Sequence, residues 1–280
     1  MSTVRSTIPP PRSPLPAPPL PADAARWGLF LDVDGTLLDF ADDPQAVQVD
    51  TRLLALLHAL HHALDGALAL VSGRELNDLD RMFGRPCWAA AGLHGLQLRH
   101  ADGSFRRFNT QPEQQARMHA AACALATRFD NVQLEDKQEA VALHCRRAPG
   151  QLAALHDAAR EMLTQLPGYE LQPGNQVLEF KPTGMDKGRA ILELLGRNPF
   201  AGRLPVYLGD DLTDEHAFAS TNGRCGLSIR IGSREPTLAH FTLPDPAATE
   251  AWLARVLDAL THGATTTHVR LPGGHHYRQP

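Results

Sequence analysis

Three short stretches of the chain run apolar and then stop abruptly at small or polar residues: WGLFLDVD (Trp27–Asp34), ALALVSGR (Ala67–Arg74) and PVYLGDD (Pro205–Asp211). Apolar runs without alternation predict strands covered on both faces, as in a parallel sheet. Between them the period changes. Asp50–Leu64 repeats leucine at helical spacing, and so does Lys187–Leu195 after the turn GMDKG. Strands alternating with helices predict an α/β fold with an open, mostly parallel, Rossmann-like sheet. Ligands of such sheets bind beyond the carboxyl ends of the strands. The polar clusters of this chain fall at that edge.

From about Asp102 to Glu179 the pattern differs. QPEQQARMHAAACALATRF and PGQLAALHDAAREMLTQL read as amphipathic helices. VQLEDKQEAVALHCR and YELQPGNQVLEFKP alternate and carry turn signals, as strands of a small antiparallel sheet do. The expected organisation is a core of residues 26–108 and 181–262 with an inserted α/β cap at 109–180. Residues 1–25, rich in proline, are expected to be a disordered extension, and residues 263–280 a loose tail. The start lacks the apolar segment of a signal peptide.

Composition narrows the class. Apolar residues make up 43% and charged residues 21%, the balance of a soluble globular protein. A net charge of −4 offers no electrostatic footprint for nucleic acid or an anionic membrane. No apolar stretch approaches the roughly 18–20 residues of a membrane span. The four cysteines, Cys87, Cys123, Cys145 and Cys225, form no CxxC pair. They read as reduced thiols of a cytoplasmic protein, not as a disulfide frame or a zinc site.

Four clusters carry candidate chemistry. In DVDGT, Asp32 and Asp34 crowd two carboxylates at the end of a buried run. A calcium loop needs Gly at its sixth position and Glu at its twelfth; counted from Asp32, those are Leu37 and Asp43. A simple turn ending the strand is one alternative. The chemical one is a hard cation such as Mg²⁺ that neutralises both acids, with one carboxylate able to attack phosphorus and the next able to move a proton. Gly35 permits a sharp turn whose N–H groups face an anion. Ser72 and Gly73 in VSGR suit a phosphoryl oxygen at a helix start, although a helix N-cap serine is an equal reading. Arg74 either reaches substrate or steadies this loop. Lys187 in GMDKGRA can neutralise phosphate or lie in solvent. Asp210, Asp211 and Asp214 in GDDLTDE form a cation site or an acidic helix start. His58 and His62 have ligand spacing but no accompanying acid or cysteine, and His94 is expected to be structural.

The order Asp-x-Asp, Ser, Lys, Gly-Asp-Asp resembles the haloacid-dehalogenase-like phosphohydrolases from about Trp27 to Leu260. Within them VSGR, GLHG, LEDKQEAVALHCR, GNQVLEFKP, GMDKG and YLGDDLTDEHAF resemble the trehalose-6-phosphate phosphatases. That resemblance implies a Mg²⁺-dependent hydrolase releasing trehalose and phosphate through an aspartyl-phosphate, the last step of trehalose biosynthesis. Asp32 would be the nucleophile and Asp34 the acid and base, with Ser72 and Lys187 on the phosphoryl group. The metal would rest on Asp32, the Asp34 carbonyl and Asp210, supported by Asp211 or Asp214. Glu135, Lys137 and Glu179 would hold the sugar. The only implied partner besides a small sugar phosphate is a functional link to a trehalose-phosphate synthase. The chain departs from the family at HCRR, where Cys145 replaces an aromatic residue. Rival readings are a capped phosphatase for sucrose phosphate or mannosyl-glycerate phosphate, and a non-catalytic phospho-acceptor or regulatory partner.

Overall fold

The structure is a computed structural model and describes residues 14–21, 26–40, 47–108, 110–174 and 176–262. In chain order the first elements are β1 (Trp27–Leu31), α1 (Thr51–Ala63), β2 (Leu68–Val71), α2 (Leu76–Met82), β3 (Ala89–Gly92), β4 (Gln97–Arg99) and β5 (Phe105–Arg107). Then come α3 (Pro112–Ala126), β6 (Gln133–Asp136), β7 (Val141–His144), α4 (Leu152–Leu163), β8 (Tyr169–Gly174) and β9 (Val177–Pro182). The chain closes with α5 (Lys187–Leu195), β10 (Leu204–Gly209), α6 (Glu215–Asn222), β11 (Leu227–Ile231), β12 (Phe241–Leu243) and α7 (Pro246–His262).

Eight strands form the large sheet in the order β12-β11-β10-β1-β2-β3-β4-β5. Pairing is parallel from β12 to β3, and β4 and β5 add antiparallel strands at one edge. The three runs singled out in the sequence are its centre: β10, β1 and β2 lie side by side and every residue of β1 and β2 is buried. The side chains on both faces of these central strands are almost all buried, so the apolar runs need no alternation. Asp50 caps α1 by accepting the Arg52 N–H at 2.7 Å, and Asp186 caps α5 by accepting the Arg189 N–H at 2.8 Å. Both satisfy N–H groups that a helix start leaves without partners.

The second sheet, β6-β7-β9-β8, is antiparallel throughout. Its side chains alternate cleanly. Leu134, Val141, Leu143, Leu178 and Phe180 face α3 and α4, where they pack with Met118, Ala122, Leu125, Leu155 and Ala159. Cys145 is buried in this cluster, which accommodates a thiol in place of a ring. The opposite face therefore carries Glu135, Lys137, His144, Gln172, Val177 and Glu179.

Part of the proline-rich start does not lie outside the fold. Leu15 and Leu20 pack on the core, Pro18 and Pro21 are buried, and the Pro16 carbonyl accepts the Thr242 N–H of β12 at 3.0 Å. Proline offers no N–H but keeps its carbonyl, so such a segment can still satisfy donors along the edge strand. The rest of residues 1–25, and residues 263–280, lie outside the described residues. No helix among those described is long and apolar enough to cross a membrane, and all four cysteines are free thiols.

Candidate active site

The carboxyl ends of β1, β2 and β10 open side by side, and each delivers one cluster. Asp32 follows β1, Ser72 follows β2 and Asp210 follows β10, while Lys187 is the first residue of α5. Asp32, Asp34, Ser72, Gly73, Arg74, Lys187, Asp210 and Asp211 line a single pocket with Glu135, Lys137 and Glu179 from the second sheet. Residues separated by more than half the chain thus share one cleft.

Its floor is a buried charge cluster. Lys187 Nζ lies 2.7 Å from Asp32 Oδ1 and 2.6 Å from Asp214 Oδ1. Burial works against the ammonium, but Asp214 and Asp32 outweigh it and raise its pKa, so Lys187 stays charged. Asp214 is wholly buried and fully subscribed. Its second oxygen accepts the N–H groups of Asp210 and Asp211 at 2.9 and 2.8 Å, and Tyr207 Oη donates to the first. Burial, then Asp214 and Asp32, push the Tyr207 hydroxyl up, which keeps its proton available for that bond. Asp214 therefore shapes the GDDLTDE loop through hydrogen bonds.

Carboxylate oxygens of Asp32, Asp210 and Asp214 lie within 4.8 Å of one another. Burial raises Asp32 well above the carboxylate range, opposed by Lys187 and reinforced by Asp214 and Asp210. Burial and the Asp214 charge push Asp210 up to about 7. Crowded, dehydrated oxygen donors of this kind fit a small hard cation, whose charge would remove the repulsion. Gly35, at φ +78°, is what lets Asp210 approach: a Cβ there would sit 2.3 Å from the Asp210 carboxylate.

Two of the acids read as metal-binding stand apart from this cluster. The Asp34 side chain pairs with Arg74, whose Nε and Nη2 reach its two oxygens at 2.7 and 2.6 Å. Burial disfavours the guanidinium, yet the Asp34 pair holds the Arg74 pKa above its ordinary value. The Asp211 carboxylate accepts the Asp214 N–H in a reciprocal capping box. Ser72 Oγ accepts the Arg74 N–H at 3.2 Å, which leaves its own proton free to point at an anion.

In the opposite wall Lys137 Nζ lies 3.0 Å from Glu179 Oε2, both largely buried, while Glu179 Oε1 has no hydrogen-bond partner. Burial opposes both charges, but each lowers the cost of the other, so the Lys137 pKa rises and the Glu179 pKa falls. His144 Nε2 meets Glu135 Oε2 at 2.8 Å, a bond that lowers the Glu135 pKa against the effect of burial. Arg146, Gln172, Val177 and Thr213 also line the pocket. Sequence reading missed them, although alternation along β8 and β9 puts Gln172 and Val177 on the face of Glu179. His94 lies against Gly73 and also lines it; His58 instead packs on Trp88, outside the pocket.

The trehalose-phosphatase family profile matches residues 30–247, most of the chain. The chain belongs to the trehalose-phosphatase family. It is 41% identical over 218 residues to a probable trehalose-phosphate phosphatase of Sinorhizobium fredii (strain NBRC 101917 / NGR234), covering 78% of this chain and 82% of that protein. It is 37% identical over 241 residues to the trehalose-6-phosphate phosphatase of Escherichia coli (strain K12), covering 86% and 90%. The fold matches the C-terminal domain of Candida albicans trehalose-6-phosphate phosphatase with a TM-score of 0.74 at 20% identity, over 84% of this chain and 93% of that one. A haloacid dehalogenase-like hydrolase of Bacteroides thetaiotaomicron shares the fold with a TM-score of 0.60 at 15% identity, over 82% and 99%.

Proposed function

We propose that this chain hydrolyses trehalose 6-phosphate to trehalose and phosphate, with Mg²⁺ as cofactor and the phosphoryl group carried transiently on Asp32. One observation carries the reading. Asp32, Ser72 and Asp210, each just beyond a different strand, and Lys187, at the start of α5, share a pocket whose opposite wall presents Glu135, Lys137 and Glu179. Family membership and the two phosphatase relatives support the same substrate.

Asp32 attacks phosphorus in line, the bond from phosphorus to the sugar oxygen breaks, and Asp34 gives that oxygen a proton. Asp34 then takes a proton from water, which attacks the aspartyl-phosphate and releases phosphate and free Asp32. Because Arg74 holds both Asp34 oxygens, the pair must loosen as the sugar oxygen arrives. Lys187 neutralises Asp32 and the incoming phosphate, and Ser72 Oγ with the Gly73 N–H grips phosphoryl oxygens. Asp32, the Asp34 carbonyl and Asp210 would hold the cation, which when bound supplies charge neutralisation at the phosphoryl oxygens, while Asp211 and Asp214 set the loop. The unpartnered oxygen of Glu179 and the Lys137 ammonium take sugar hydroxyls. Residues 109–180 act as the cap, closing over the disaccharide and opening for release. A trehalose-phosphate synthase is the natural supplier of this substrate, in the cytoplasm.

The test is phosphate release from trehalose 6-phosphate, sucrose phosphate, mannosyl-glycerate phosphate and p-nitrophenyl phosphate, each with Mg²⁺ and with EDTA. Trehalose 6-phosphate should be preferred, EDTA should abolish turnover, and Asp32→Asn should lose about 10³-fold or more. Preference for another ester overturns the substrate, and near-wild-type turnover by Asp32→Asn overturns the nucleophile. No release from any ester points to the regulatory reading.

A further inference from the structure

The turn after β6 carries Lys137, and it is fastened to the large sheet by groups that the reaction above does not use. The Lys137 N–H donates to the Ala140 carbonyl at 3.0 Å and the Glu139 N–H to the Lys137 carbonyl at 2.8 Å, which closes the turn tightly. Glu139 is buried, and its Oε2 accepts from Gln97 Nε2 at 3.3 Å. Gln97, on β4, is 3% exposed, and its Oε1 accepts the Leu76 N–H at 3.0 Å. Leu76 opens α2, where N–H groups lack partners within the helix, and the Ser72–Arg74 loop runs directly into it. A single buried amide therefore bridges the helix behind the phosphate loop and the turn bearing Lys137. Only a side chain that both accepts and donates can do so while neutral.

The surroundings place this bridge beside the crossings between the two sheets. Ala140 packs with Leu93, Leu96 and Met185, and Phe108 lies against them. Phe108 and Met185 belong to the two segments that join the large sheet to the small one. Arg107 Nε stands 3.5 Å from Glu139 Oε1, and Arg107 Nη1 donates to Gln138 Oε1 at 2.9 Å. Near a hinge, a rigid rotation moves atoms least. The Lys137 turn is thus the part of the small sheet that can stay put while its far end swings.

We propose that Gln97 and Glu139 are positioning residues for the sugar site, fixing the Lys137 turn to the Ser72–Arg74 loop. The ammonium that meets the sugar and the loop that grips the phosphate then keep one spacing, whatever the rest of the small sheet does. The kinetic consequence rests on the trehalose 6-phosphate reading; the structural one does not.

Q97E keeps an acceptor for Leu76 but presents a carboxylate to Glu139, so it breaks the link on one side only. With the full chain and Mg²⁺, it should raise the KM for trehalose 6-phosphate about tenfold with kcat within about threefold, and change kcat/KM for p-nitrophenyl phosphate by less than about twofold. E139A, which removes the acceptor without adding charge, should do the same. The exchanged pair Q97E/E139Q again matches a donor to an acceptor and should restore the KM. Amide hydrogen exchange supplies a readout without substrate: in Q97E the Lys137 amide should exchange about tenfold faster while those of Leu76 and β1 stay protected. A wild-type KM in both single variants, equal losses on both esters, or unchanged protection at Lys137 each overturns the proposal. Wild-type protein that hydrolyses p-nitrophenyl phosphate but not trehalose 6-phosphate defeats the substrate reading alone, and amide exchange then decides this one.

Discussion

His94 occupies a left-handed backbone conformation, φ 54°, with its ring against Gly73 and its Nδ1 without a hydrogen-bond partner. Burial pushes its pKa down to about 3, partly offset by Glu179 and aided by Lys187, Lys137 and Lys181. It stays neutral in the folded chain but takes a proton in the unfolded one near pH 6.5. A depressed folded pKa means that the unfolded state binds more protons, so the stability tied to His94 is complete above about pH 6.5 and declines as pH falls towards 3. Between pH 7 and pH 5 the decline should be about 2 kcal/mol. H94N, whose side chain tolerates positive φ, should unfold in urea with a pH dependence smaller by that amount. Equal slopes for both proteins would mean that the ring is not buried neutral. Little of this was visible in GLHG, because a histidine's environment comes from the partners around it. Asp32 and Asp34 were legible for the opposite reason: two acids one residue apart at the end of an apolar run are costly without a compensating charge. That Arg74 would take Asp34, and that Asp214 would be spent on backbone N–H groups, depended on loop geometry that spacing does not encode.

At the next scale, Lys187 reaches Asp32 only because α5 lies close on α6, and Gly188 sets that approach. A Cβ on Gly188 would meet the His216 carbonyl oxygen at 2.3 Å and Ser220 Oγ at 2.4 Å. The serine could rotate, but the carbonyl belongs to α6 and cannot move alone. G188A should therefore separate the helices, cost roughly 1–3 kcal/mol in a urea melt, and lower kcat with little change in KM as Lys187 is displaced. Stability and kcat both at wild-type levels would show that the crossing is loose. The elements that the sequence pattern predicts well are helices α1 and α5, with their helical period, and the central strands β1, β2 and β10, with their unbroken apolar runs. Both helices and both hairpins of the small sheet lie where alternation and helical spacing put them. Strand β3 reads AAAG and β12 reads FTL; alanine has weak strand preference and three residues carry no period. Their strand state is imposed by neighbours in the sheet. The contact of Pro16 with β12 was hidden likewise, because composition describes a segment's preferences and not the surface it meets.

For the molecule as a whole, the proposed function divides the substrate between the two sheets. The large sheet's side of the pocket presents Asp32, Ser72, Lys187 and Asp210, and the small sheet presents Glu135, Lys137 and Glu179; on that reading the first set serves any phosphate monoester and the second only an ester with a sugar to meet it. Removing a group from the second set should cost most where the substrate reaches it. Glu179 is buried and pairs with Lys137 through one oxygen, while its other oxygen has no hydrogen-bond partner. A hydrogen bond to a charged group contributes roughly 1.5–3 kcal/mol, equivalent to about 10–150-fold in kcat/KM. E179A also leaves the Lys137 ammonium buried without its partner, so the loss on trehalose 6-phosphate should fall in the upper part of that range. Glucose 6-phosphate, with one ring, should lose less, and p-nitrophenyl phosphate less again, at least about tenfold less than the disaccharide ester. The comparison across three substrate sizes separates sugar contact from general damage. A distorted phosphate site lowers all three rates together, and a lost sugar contact grades them by length. Parallel losses on the three esters would remove Glu179 from the sugar site and with it the division of labour between the two sheets.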